Sequence, residues 1–135
     1  MIISKLKNTL VFAAILVVSL SASSDEFSSE DEKRWMEEYM TVVTLGEKLF
    51  HGGLKSKNTV SCDQCHPNST SIHPETYPKF QQQLGKVSVL AEMINWCIMN
   101  PTESDPLKLD SSEMIALQAY IHWERRGVKL APGKH

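Results

Sequence analysis

Cys62-Asp63-Gln64-Cys65-His66 decides how the rest of this chain is read. Two thiols three residues apart, followed at once by an imidazole, form the attachment signature of a c-type haem. The spacing suits the chemistry. The thiols of Cys62 and Cys65 add to the two vinyl groups on one edge of the porphyrin, and His66 then reaches the iron as proximal ligand. Other uses of the pentad fit less well. A redox Cys-x-x-Cys needs a strand leading into a helix, and no strand pattern precedes Cys62. A zinc site needs four ligands in a tetrahedron; Cys62, Cys65, Cys97 and His73 supply them only by leaving His66 without a role.

Composition is consistent with a small exported domain built around such a group. The chain has 135 residues, enough for one domain. Lys and Arg number 14 against 16 Asp and Glu, for a formal charge of −2, which excludes a basic nucleic-acid binder. Three cysteines cannot all pair within one molecule, so a disulfide scaffold is excluded too. Residues 1–23 read as a signal peptide. Lys5 and Lys7 precede the apolar run Leu10 to Leu20, and the small residues Ser21, Ala22 and Ser23 follow. The run is too short for a spanning helix of roughly 20 apolar residues. The expectation is export to the periplasm, cleavage, no stable membrane insertion afterwards, and a mature domain at 24–135. Cleavage removes Lys5 and Lys7, so the mature chain is more acidic.

The mature part reads as all-α. Apolar residues from Trp35 to Phe50 recur at helical spacing, which predicts a helix from about Asp31 to His51, stopped by Gly52-Gly53. Gly46 inside it implies close approach of another helix. Lys55 to Pro78 is rich in Pro, Ser, Thr and Asn and reads as a long loop with at most one helical turn. Loops of this length usually wrap something. A second helix is expected over Val87 to Met99 and ends at Asn100-Pro101. A third begins at Asp110, read as N-cap with Glu113 three residues on, carries Met114, Leu117, Tyr120 and Ile121 on one face, and stops at Gly127. No alternating stretch long enough for a sheet is visible. The pairs Gly46/Phe50 and Leu117/Tyr120 resemble the first and last helices of class I cytochromes c, whose crossing they would form around one covalent haem.

Spacing alone leaves the second axial ligand open among Cys97, Met99, Met93, Met114, His73 and none. Cys97 shares a helix face with Leu90 and Ile94, whereas Met99 projects about 160° away from it. A wider resemblance bears on this. Tyr77-Pro78-Lys79-Phe80, Gly85-Lys86-Val87, Ile94-Asn95-Trp96-Cys97, Asp110-Ser111-Ser112-Glu113-Met114, Ala116 to Ile121 and Arg126-Gly127 resemble blocks of two sulfur-oxidising families. These are the SoxA haem proteins of the Sox thiosulfate-oxidising system and the thiosulfate dehydrogenases. The resemblance implies Cys97 as distal ligand, with Met99 the alternative, and a periplasmic redox partner protein or sulfur-oxidising enzyme complex.

Two departures affect the function that the resemblance implies. Those families tend to carry arginine where this chain has Met93, and the dehydrogenases usually carry two haems where this chain has one attachment motif. The expected function is single-electron transfer within thiosulfate oxidation. The alternative is a haem enzyme acting on thiosulfate or a related sulfur species through a Cys-ligated haem. An electron-transfer protein, free or within a complex, is favoured over a stand-alone dehydrogenase. Lys79, Lys86, Arg125 and Arg126 are the basic residues available to hold an anionic substrate, and Arg125 and Arg126 are expected to face solvent.

Overall fold

The computed structural model describes residues 27–129; the expected signal peptide, 1–23, lies outside them. The described residues fold into four helices and one short hairpin. These are α1 (Ser29–Lys48), α2 (Cys62–Cys65), β1 (Lys79–Gln81), β2 (Lys86–Ser88), α3 (Leu90–Met99) and α4 (Ser112–Glu124). Single 3-10 turns at Pro67–Ser69 and Pro74–Thr76 link α2 to the hairpin. No helix among the described residues is long and apolar enough to cross a membrane.

α1 starts earlier than its apolar stripe suggests because Ser28 caps it. The Ser28 side chain accepts from Asp31 N–H at 3.1 Å, and the Asp31 carboxylate accepts from Ser28 N–H at 3.2 Å. At its other end α1 widens into a π turn, Leu49–Gly53, which Gly52 leaves with φ +98°. Only the C-terminal half of α1 is sunk in the core, at Val43, Gly46 and the following Phe50. Trp35, Met36, Tyr39 and Leu45, part of the same sequence pattern, stay exposed.

α1 and α4 make the central contact. A Cβ on Gly46 would sit 1.9 Å from the Ala116 carbonyl oxygen and 2.7 Å from Tyr120 Cβ, so only glycine allows this approach. The Phe50 and Tyr120 rings pack with centroids 5.1 Å apart. Around them Val43, Leu90, Ile94, Ile98, Met114, Leu117 and Ile121 complete one core. Each such side chain contributes about 2 kcal/mol by leaving water.

Three expectations are corrected. The N-cap of α4 is Ser111, one residue after Asp110; its hydroxyl accepts from Met114 N–H at 3.2 Å. The segment Lys55 to Pro78 carries three helical turns instead of one. The stretch before α3 is a hairpin, with Phe80 opposite Val87, so α3 begins at Leu90. Strands of three residues are too short for alternation to be visible, and the turn at Gly85 (φ +65°) is what sends the chain back.

Replacing Gly46 with alanine is expected to destabilise the protein by about 1–3 kcal/mol or more, by forcing α1 off α4. Urea unfolding of the purified holoprotein measures it, and an unchanged midpoint would contradict this packing.

Candidate functional site

The attachment motif forms its own short helix. Cys62 to Cys65 make one turn, closed by His66 N–H to Cys62 O at 2.9 Å, so both thiols lie within one turn of the imidazole. Cys62 is half-buried and Cys65 exposed; neither is in a disulfide. The next turn orients the imidazole. His66 Nδ1 lies 3.0 Å from the Thr70 carbonyl oxygen, so it carries the proton and donates, leaving Nε2 with a free lone pair. This arrangement fixes the tautomer and ring angle of a metal-binding histidine.

The remaining thiol, Cys97, belongs to α3. The N-cap residue of that helix, Val89, is held by Glu92, whose carboxylate accepts from Val89 N–H at 3.1 Å and pairs with Lys86 at 2.5 Å. Cys97 lies near its end, half-buried, one turn after half-buried Met93. Met99, the alternative ligand, is the last residue of α3 and is 45% exposed. Met114 is fully buried in the core face of α4, and His73 Nδ1 pairs with the Glu75 carboxylate at 3.1 Å.

The thiols of α2 and α3 are close enough to act on one another. Burial, and after it the neighbouring Cys97, Asp63 and Cys65, push the Cys62 thiol up to about 11. Burial first and then Cys65 push the Cys97 thiol up as well. Both are therefore neutral thiols at pH 7 when nothing is bound to them. Tyr77 lies near Cys97; burial and Cys97 push its phenol up to about 12, while Gln81 donates to its oxygen. Among the described residues no three His, Cys, Asp or Glu side chains are gathered to hold a metal ion by themselves. The zinc alternative therefore has no assembled ligand set. Two thiols on one short turn, one imidazole with its outer nitrogen engaged, and a further half-buried thiol on α3 fit a c-type haem, which Cys62 and Cys65 could bond and which His66 and Cys97 could ligate.

Two sets of hydrogen bonds hold the segments next to these thiols, and neither is visible as a motif. Buried Asn95 grips the chain after α3 at both of its amide atoms: Nδ2 donates to Leu107 O at 2.8 Å and Oδ1 accepts from Leu107 N–H at 2.9 Å. The loop before Cys62 is tied to the end of α3 through Asn58 Nδ2 to Pro101 O at 3.1 Å and Lys57 N–H to Ser104 Oγ at 3.3 Å. The nearest sequence signal was the Ile94-Asn95-Trp96-Cys97 block, in which Asn95 stands beside the thiol without its reach being legible.

Residues 45–130 match the family described as SoxA/TsdA, cytochrome c domain. The chain belongs to that family. Its cofactor is accordingly a c-type haem, consistent with the donor set above. A thiosulfate dehydrogenase of Psychrobacter arcticus is 27% identical over 74 residues, covering 49% of this chain and 23% of that protein. The chain thus spans under a quarter of that relative. The fold is similar to the crystal structure of SoxXA from P. pantotrophus, with TM-score 0.61 and 22% identity over 73% of this chain and 40% of that one. It is also similar to the thiosulfate dehydrogenase TsdBA of Marichromatium purpuratum in its as-isolated form. There the TM-score is 0.57, with 20% identity over 67% of this chain and 24% of that one. The expected all-α, cytochrome c-like domain stands, with the hairpin added.

Asp63, inside the motif, is held below the usual carboxylate range by the Ser61 hydroxyl and then by His51. A depressed folded value adds stability that is present above about pH 4, the unfolded value, and is lost as pH falls through the folded one. Asp63→Asn is expected to be less stable than wild type at pH 7 and to converge with it in strong acid. Thermal melts across pH 7 to 2 check this; parallel curves would contradict it.

Proposed function

We propose that the chain is a periplasmic monohaem c-type cytochrome that passes single electrons within thiosulfate oxidation. On this reading residues 1–23 direct export and 24–135 form the mature domain. Cys62 and Cys65 would bond one haem, and His66 and Cys97 would ligate its iron. The observation that carries the reading is the pairing of the motif turn, with its oriented His66, against the half-buried Cys97 thiol of α3. Family membership supports sulfur oxidation as the setting.

The haem supplies a reversible one-electron couple, and a thiolate ligand lowers its potential by favouring the ferric state. The chain's own part is to hold and tune it. Thr70 keeps the His66 ring angle constant between oxidation states. Asn95 holds the chain after α3, and the loop before Cys62 is bonded to the end of α3, which limits rearrangement when the charge changes. Cys97 must give up its proton to coordinate, and the metal's positive charge supplies the driving force. Its thiolate would then face the half-buried Tyr77.

The basic residues favour an electron carrier over a thiosulfate-binding enzyme. Lys86 is paired with Glu92 at 2.5 Å, and the Lys79 ammonium sits 4.7 Å above the Tyr77 ring. Arg126 is exposed, as expected, and also stacks on Trp123 at 3.7 Å. Arg125 is partly withdrawn, with its Nε buried. Lys86, Lys79 and Arg126 are thus each engaged by a neighbour of this chain, and Met93 stands one turn before the Cys97 thiol. We place the partner as a periplasmic redox protein or a sulfur-oxidising complex.

Electron paramagnetic resonance of the ferric protein tests the ligand. Wild type is expected to give a thiolate-type low-spin signal, lost in Cys97→Ala and retained in Met99→Leu. An unchanged Cys97→Ala spectrum, with a methionine-to-iron absorption band that Met99→Leu removes, would contradict the assignment. Turnover of thiosulfate with an artificial acceptor by the purified chain would favour the enzyme reading instead.

A further inference from the structure

His51 is used at both ring nitrogens by groups far apart in sequence. Nδ1 lies 3.0 Å from the Asp63 carboxylate, and Nε2 lies 3.1 Å from the Tyr120 hydroxyl. Asp63 stands between the two haem-attaching cysteines, its second oxygen held by Ser61. Tyr120 stands at the α1–α4 crossing. The histidine sits in the π turn that ends α1, in a backbone conformation (φ −92°, ψ 34°) that Gly52 lets the chain leave. It also lines, with Cys62, Ser61 and Lys55, a solvent-connected cleft of about 470 Å³. The imidazole is 38% exposed, so water reaches it.

The hydrogen-bond roles can be assigned. Asp63 is ionised at pH 7 and can only accept, so Nδ1 carries a proton and donates. In the neutral ring Nε2 is then the acceptor and the Tyr120 hydroxyl donates to it. In the imidazolium, Nε2–H donates and the hydroxyl turns to accept. Both bonds persist in either state, so titration changes charge without breaking the tie. The pair His51/Asp63 goes from one negative charge to none. The other charged groups around it are Glu47 and Glu124, which act on Tyr120, and Lys55 in the cleft. Neither His51 nor Asp63 is an iron ligand in the proposed set.

We propose that His51 is a redox-linked proton site, taking up a proton from water when the attached haem accepts an electron from its donor protein and releasing it on oxidation. This rests on the electron-transfer reading and deepens it. The balance is one electron to the iron and one proton to His51 Nε2, with no bond to carbon or sulfur made or broken. A proton on His51 removes net negative charge next to the attachment turn and so favours the ferrous state. By reciprocity the ferrous state binds that proton more tightly. The same residue positions the motif, because its two bonds tie α2 to α4 across the end of α1.

The test uses the intact holoprotein. Spectroelectrochemical titration of wild type from pH 5 to 9 is expected to show a segment in which the potential rises as pH falls. His51→Gln, whose amide can still donate to Asp63 and accept from Tyr120, is expected to flatten that segment while keeping the haem spectrum. Independently, NMR of histidine-labelled wild type is expected to show that His51 binds its proton about fivefold or more tightly in the ferrous state. This readout needs no variant to fold. A sloping segment retained in His51→Gln, or identical His51 titrations in the two oxidation states, would overturn the proposal and leave electron transfer intact. Absence of a reversible haem couple would overturn the electron-transfer reading and this inference with it.

Discussion

The architecture hangs on the contact at Gly46. A carbonyl oxygen of α4 occupies the place where any other residue of α1 would carry a side chain. That approach lets the Phe50 and Tyr120 rings meet and seals the base of the core. It also sets the direction in which α1 ends. The π turn that follows presents His51 to both Tyr120 and Asp63, so the attachment turn is referenced to the α1–α4 pair and not left on a free loop. A chain of this size buries a limited core, and a large apolar cofactor bonded to that turn would add substantially to it.

The segment around α3 is organised by polar groups. Asn95, buried in an apolar helix, satisfies both of its amide atoms on one backbone residue, Leu107. Leaving those groups unpaired costs about 1–3 kcal/mol each, so the strap after α3 has one favoured position. Thr102 and Ser104 finish α3 by bonding the Ile98 carbonyl. The consequence is chemical. Cys97, one residue before Ile98, is held near the motif turn while Met99, two residues on, remains at the surface. Electron transfer benefits from such stiffness, since little structure has to reorganise when one charge is added.

Much of this was legible in the residues. Cys62, Cys65 and His66 announced the cofactor by spacing. Gly46, Phe50, Leu117 and Tyr120 announced the crossing, because a glycine inside a helix needs a neighbour. Where the reading fell short, the cause was local competition or distance. The sequence pattern starts α1 at about Asp31, and its start at Ser29 shows only once Ser28 is seen to cap it. Asp110 and Ser111 are both good caps, and the second one acts. The hairpin strands are too short to show a period. His51 and Tyr120 stand 69 residues apart, and no local pattern joins them. Arg125 and Arg126 read as a solvated helix end, and exposed Arg126 also finds an aromatic face on Trp123.

Function follows from what the motif turn and α3 can hold, and the covalent attachment is its foundation. The most direct measurement is the mass of the denatured polypeptide after washing with acid-acetone, following expression with a haem-attachment system. The account predicts a coloured chain heavier by one haem, with the attachment lying in the peptide that contains Cys62 and Cys65. A colourless chain of bare polypeptide mass would contradict it.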